Sequence, residues 1–223
     1  MATPKTKPEG ESTEVTTVNQ GVLAPAFLGE EDFGMNGFEN ADGDSYAIPF
    51  LQILQKMSPM VDEDDPKHVE GAKAGMVFNT VTQAMYDGKA GVLLVPCFYK
   101  RSIILWGGRE GSDSGFKGEF TLEQFEELKQ DQSKCVLHEG RYYIPDAEGK
   151  VNEKKCAYYA DTRSHFVIVI DPVTGEWSQA ILSLASSQIR ASKTLMTLLN
   201  QKKVQTAKGL QTPPTFANVV RMT

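Results

Sequence analysis

No stretch of this 223-residue chain is apolar for long enough to cross a bilayer, and no apolar N-terminal segment resembles a secretion signal. Cysteine is scarce. Cys97, Cys135 and Cys156 form an odd set without a C-x-x-C pair, which points to reduced thiols in a cytoplasm. Histidine is limited to His68, His138 and His165, and no G-x-S-x-G or S-x-x-K surrounds a serine. A nucleophile with a base beside it is therefore unmarked, nothing marks paired carboxylates in a cleft, and the chain reads as a non-enzyme. Gly111-x-x-x-Gly115-Phe116-Lys117-Gly118 misses the P-loop spacing and lacks the Ser/Thr after the lysine. Cys135-x-x-His138 has zinc-like spacing, but Cys156 and His165 are separated by eight residues, too many for the second half of such a site. Asp62-Glu63-Asp64-Asp65 is a contiguous run, whereas catalytic metals need ligands converging from separate elements, so it reads as a solvated turn. No metal or cofactor is expected.

Net basic charge is also missing: the chain carries −6 with a pI near 5.2, unlike a simple basic DNA-binding domain. The average hides an asymmetry. Residues 1–70 hold four lysines against fourteen acids, a net of −10, which leaves +4 for the rest. No acid follows Glu176, whereas Arg190, Lys193, Lys202, Lys203, Lys208 and Arg221 do. Residues 1–45, rich in Pro, Gly, Glu, Ser and Thr, read as a disordered acidic arm with net charge −7. Tethered beside a basic face, such an arm is expected to compete with a polyanion at low salt.

What is present is β-prone sequence. The chain is organised around Ala90–Arg109, where Val92-Leu93-Leu94-Val95 and Ile103-Ile104-Leu105-Trp106 flank Phe98-Tyr99-Lys100-Arg101. In a continuous strand, period two puts Tyr99 and Arg101 on one face and Phe98, Lys100 and Trp106 on the other. Pro96 lacks an N–H, so the strand lies at an edge or is bulged there. Before it, residues 48–55 suggest a short packed element, residues 75–82 a strand and Asp87-Gly88 a turn. After it, residues 107–118 read as a flexible loop. Thr121 and Gln124 form a capping box, with Phe120 and Phe125 as a hydrophobic staple, opening a short helix. Strands are predicted over 135–144 and 156–162, and a hairpin over 165–170 and 177–184 around Asp171-Pro-Val-Thr-Gly175. Ser186 or Ser187 then caps a helix to about Lys203, with Ile189, Leu195, Met196, Leu198 and Leu199 on its apolar side and Arg190 and Lys193 on another. Residues 207–214 read as a loop and 215–223 as a last strand. Residues 46–223 are thus expected to be one mainly β domain with helices, an OB-like five-stranded barrel with a helix after the hairpin.

Basic and aromatic residues recur together on these strands: Tyr99, Lys100 and Arg101; Trp106 with Arg109; Arg141 with Tyr143; Tyr159 with Arg163. An exposed ring beside a cation stacks a base and meets a phosphate. In each tyrosine pair, 142–143 and 158–159, one member should face inward. These residues, with Arg190 and Lys193 on the helix, are the candidate single-stranded DNA contacts.

Ile48-Pro-Phe-Leu-Gln-Ile-Leu-Gln-Lys-Met-Ser-Pro, Gly75-Met-Val-Phe-Asn-Thr-Val-Thr, Val95-Pro-Cys-Phe-Tyr-Lys-Arg with Trp106, and Leu182-Ser-Leu-Ala-Ser-Ser-Gln resemble a family of tailed-phage proteins. Some members of that family are single-stranded DNA-binding proteins. The resemblance implies an OB-like fold and sequence-independent binding of single strands in phage replication or recombination. The partners weighed besides single-stranded DNA are phage replication proteins and a second copy of the chain, the oligomeric state being left open by the sequence, and the expected location is the infected host's cytoplasm. Phage proteins of that function usually end in an acidic tail, whereas here the acid is N-terminal. The rival expectations are an aromatic surface for a host protein, or an enzyme acting on nucleic acid.

Overall fold

The computed structural model describes residues 41–110, 114–171 and 174–223, so the predicted disorder of the arm falls almost wholly outside the described residues. The described chain divides between Tyr46 and Ala47. Ahead of the division, Gly43–Ser45 form one 3-10 turn capped by the Asp42 carboxylate.

From Ala47 onward the described residues are mainly β with two short helices. The strands are β1 (Phe50–Ile53), β2 (Val77–Asn79), β3 (Met85–Tyr86), β4 (Val92–Trp106), β5 (Phe116–Phe120), β6 (Val136–His138), β7 (Arg141–Tyr143), β8 (Tyr158–Ile170), β9 (Trp177–Ala185), β10 (Val204–Thr206), β11 (Gly209–Gln211) and β12 (Val220–Met222). Helix α1 spans Leu122–Leu128, and α2 spans Ile189–Gln201. Ten strands share one sheet along the path β12-β4-β8-β9-β1-β2-β3, with β5 on β4 and the β6–β7 hairpin on β8. All its pairs are antiparallel except β1 with β9.

The expected five-stranded barrel is corrected here, because no ladder joins β12 to β3 among the described residues. Closure needs the two end strands to pair with a consistent stagger. Instead β1 docks parallel beside β9 and hands the sheet on to β2 and β3, while β12 sits at the other edge on β4.

Strands β4 and β8 run antiparallel along almost their whole length. The two strands predicted at 156–162 and 165–170 are one, and the Asp171 turn leads into β9 as expected, its carboxylate accepting from the Thr174 N–H at 2.9 Å. The register of β4 shifts at Cys97, between Pro96 and Phe98. This bulge reconciles two apolar runs of opposite parity. Val92, Leu94 and Pro96 are buried before it, Ile103 and Leu105 after it, and all face the same side. Without the extra residue one run would point to solvent, and each such side chain is worth about 1.5–3 kcal/mol when buried.

That shared side carries both helices. Ser192 and Leu199 of α2 are buried, and Ser192 reaches His165 of β8. Phe125 of α1 packs with Ile103, Leu105, Cys135 and Tyr159. A second apolar cluster, including Leu51, Val92, Leu94, Val167, Val169 and Leu182, lies on the same face. The capping box of α1 forms as predicted: the Thr121 hydroxyl accepts from the Gln124 N–H, and the Gln124 carbonyl accepts from the Thr121 N–H.

Other expectations shift. The loop read over 107–118 holds the start of β5, because pairing with β4 outweighs the poor β-propensity of Gly118. Its first turn is packed, since a Cβ on Gly108 would stand 2.1 Å from the Lys155 carbonyl oxygen. The strand read over 135–144 is a hairpin turning at Glu139 and Gly140, both at positive φ as a two-residue turn requires. The serine cap of α2 does not form. Ser186–Gln188 make a 3-10 turn, Ser186 stands at φ 52°, and Gln188 precedes the helix without a side-chain cap. The loop read over 207–214 contains the second strand of the β10–β11 hairpin, and the last strand is confined to Val220–Met222.

Candidate nucleic-acid interface

Directly paired residues of antiparallel strands share a face, so the β4–β8–β9 register sorts the candidate residues. Phe98, Lys100, Ser102, Ile104 and Trp106 pair with Phe166, Ser164, Thr162, Ala160 and Tyr158, and β9 continues the same face with Ile181, Ser183 and Ala185. Both helices lie on the other side. Among the described residues no helix covers this face, and a concave, mostly apolar groove of about 830 Å³ runs across it.

Aromatic rings stand at both ends of the groove. At one end Phe166 and Phe50 line it, and Phe98, 61% exposed, leans on Phe166 with ring centroids 5.5 Å apart. At the other, Trp106 meets Phe116 edge-on at 6.2 Å, and Phe116 is 64% exposed. Rings this open on a strand are available to a ligand. Between the ends, the Lys100 ammonium donates to the Glu119 carboxylate of β5 at 2.8 Å. That contact holds the Glu119 carboxyl below the usual carboxylate range. Ala185 and Gln188 line the groove on either side of Ser186, whose left-handed backbone aims this corner of the chain.

The opposite face holds the other half of the predicted platform. Arg101 makes a two-pronged ion pair with Asp161, at 3.0 and 2.8 Å, which raises its already high pKa. Arg163 donates to the Tyr99 hydroxyl at 3.1 Å and stands 3.7 Å from the Asp161 carboxylate. Tyr99 packs on His165, whose Nε2 shares a 2.8 Å hydrogen bond with the Ser192 hydroxyl. Burial, seconded by Arg163, lowers the His165 pKa. These side chains are engaged with one another, and His165 ties them to α2 through Ser192.

The expected platform is therefore split by the strand's own alternation, as the period-two reading of Tyr99, Arg101, Lys100 and Trp106 implied. Lys100 and Trp106 reach the groove; Tyr99, Arg101 and Arg163 do not share its face. Tyr143 and Tyr159 are the inward members of their pairs, 3% and 6% exposed, and cannot stack a base where they sit. The Tyr159 hydroxyl donates to the Lys134 carbonyl at 3.2 Å, and burial raises its pKa. Arg141 lies over the Tyr158 ring at 5.0 Å. Arg109, Arg190 and Lys193 are exposed and make no ion pair among the described residues. The side chains missed from sequence are Phe50, Phe98, Phe116, Phe166 and Glu119. Phe98 carried a signal, since it alternates with Lys100 on a β-prone run. The others depend on pairings distant in the chain.

The zinc-like set does not assemble: Cys135 and His165 are buried in different parts of the core. His138 and Glu139 at the β6–β7 turn and Glu153 in the loop before β8 do converge, all exposed. No described helix is long and apolar enough to cross a membrane. No curated protein and no solved structure matches the chain. Residues 17–223 match the family model described as Pam3 phage gp34-like protein, and the chain thus belongs to this family of phage proteins.

Proposed function

We propose that this phage protein binds single-stranded DNA without sequence preference, in replication or recombination, and that the uncovered sheet face is the binding surface. The observation that carries the reading is an open groove with exposed rings at both ends and a lysine between them. Every base has a π-face, so Phe98, Phe166, Trp106 and Phe116 stack bases of any sequence, while Lys100 meets the backbone. Arg109, three residues beyond Trp106, extends the cationic contacts past that rim.

The test is anisotropy of labelled oligo-dT, duplex DNA and RNA titrated with the full chain, with Trp106 fluorescence as a second signal. Preference for single strands with a steep salt dependence supports the proposal. Binding to none of them overturns it.

A second reading, an apolar segment of a partner protein in the same groove, is favoured by one observation. The groove's lysine is already neutralised by Glu119, and most of the lining is apolar. Such a complex would be nearly indifferent to salt.

A further inference from the structure

Glu119 belongs to the groove without being useful to a polyanion, and that conflict says where the backbone of a single strand crosses. Its carboxylate sits 2.8 Å from the Lys100 ammonium, in the mouth of a groove that is otherwise mostly apolar. Phe98 lies two residues from Lys100 and Trp106 six, all on one face of β4, so the pair stands between the two ring clusters. Both partners remain partly open to solvent, at 46% and 36%, so an arriving anion can reach the ammonium. On the opposite face, Arg101 is held by two hydrogen bonds to Asp161 and has no such access to the groove.

We propose that Glu119 is a built-in stand-in for a DNA phosphate. It occupies Lys100 in the free protein, must give the ammonium up when a strand binds, and so tempers affinity at the one point where the backbone passes between the ring clusters. This inference rests on the reading of the groove as a single-strand site. The exchange of one anion for another keeps Lys100 from being a bare cation in an apolar groove. It also makes Glu119 the residue that sets how tightly the site holds.

The experiment measures oligo-dT affinity of the full chain across a salt series for wild type, Glu119→Gln, Lys100→Gln/Glu119→Gln and Glu148→Gln. Glu148 pairs with Lys150 on an exposed turn and supplies a charge-matched control. Exposed ion pairs are worth little, so Glu119→Gln should tighten binding by up to about fivefold. Its slope of log K against log salt should steepen by about 0.7, because in the wild type the released Glu119 carboxylate takes up a cation that offsets the one Lys100 displaces from the strand, and Gln does not. The slope should return to that of wild type in the double variant, and Glu148→Gln should behave as wild type. Equal gains in Glu119→Gln and Glu148→Gln would overturn the proposal, because net charge alone would then be acting. A wild-type slope in Glu119→Gln would overturn it too, while salt-sensitive binding by the wild type would leave the proposed function standing. A complete lack of oligo-dT binding by every variant would overturn both.

Discussion

The two faces of the β4–β8–β9 sheet are built from neighbouring residues and differ in nearly every physical respect. Lys100 and Arg101 are adjacent in sequence, yet one faces an open groove and the other faces a polar network on the helix side. On the helix side, rings and charges satisfy one another: Tyr99 with Arg163, Arg101 with Asp161, His165 with Ser192. On the open side, rings are left exposed, and the Lys100–Glu119 pair is about as open to solvent as the Arg101–Asp161 pair on the other face. An antiparallel sheet commonly buries one face and wets the other, and the wet face is then polar. Here the face without helices buries Ser102, Thr162 and Ser164 at its middle and keeps exposed aromatics at its ends, which makes it the surface to test for a ligand.

Stability separates the two faces most strongly. Tyr159→Ala removes a ring buried under α1, and a cavity of that kind costs about 3–5 kcal/mol. Thermal or denaturant melting should register that loss, with oligo-dT affinity unchanged for the fraction that remains folded. Equal melting of variant and wild type would mean that the ring is not core.

Phe98→Ala should do the reverse. The ring is mostly exposed, so the melting temperature should hold, whereas loss of a stacked base should cost about 1–3 kcal/mol in oligo-dT binding. Anisotropy and melting on the same preparation decide between site and scaffold.

A pH series sharpens the contrast further. His165 is buried with its pKa lowered from an ordinary value near 6.5, so the unfolded chain takes up a proton that the folded chain refuses. Stability should be full above the ordinary imidazole range and fall as the pH drops through it towards the lower folded-state value. Glu119, also lowered, is deprotonated in the folded state, so its contribution is lost only below the ordinary carboxylate range as the pH falls through its folded value. Replacing His165 with Gln should flatten the upper step and leave the lower one.

The smallest effect is expected at Arg101. Because its guanidinium is tied to Asp161 away from the groove, Arg101→Gln should leave the salt slope of oligo-dT binding unchanged. A slope flatter by about 0.7 would assign a phosphate contact to the helix-covered face instead.

Elements whose signals are local are legible in the sequence. The capping box at Thr121 and Gln124, the Asp171 turn, the mainly β character and the irregularity beside Pro96 all depend on a few contiguous residues. The alternation that separates Lys100 from Arg101 is equally local, being the pleat of one strand. What those faces meet depends on pairings distant in the chain. β1 pairs with a strand some 130 positions away, Phe50 opposite Ile181, and this parallel docking opens the sheet that the sequence pattern suggested would close. Ser186 fails to cap α2 because its backbone turns left-handed at the groove's corner. Lys100 and Arg101 look equally free in the sequence, and their partners, Glu119 and Asp161, are fixed by β5 and β8. Charge pairing is a short-range interaction between side chains, and in this chain the pairs that matter are brought together by strand register.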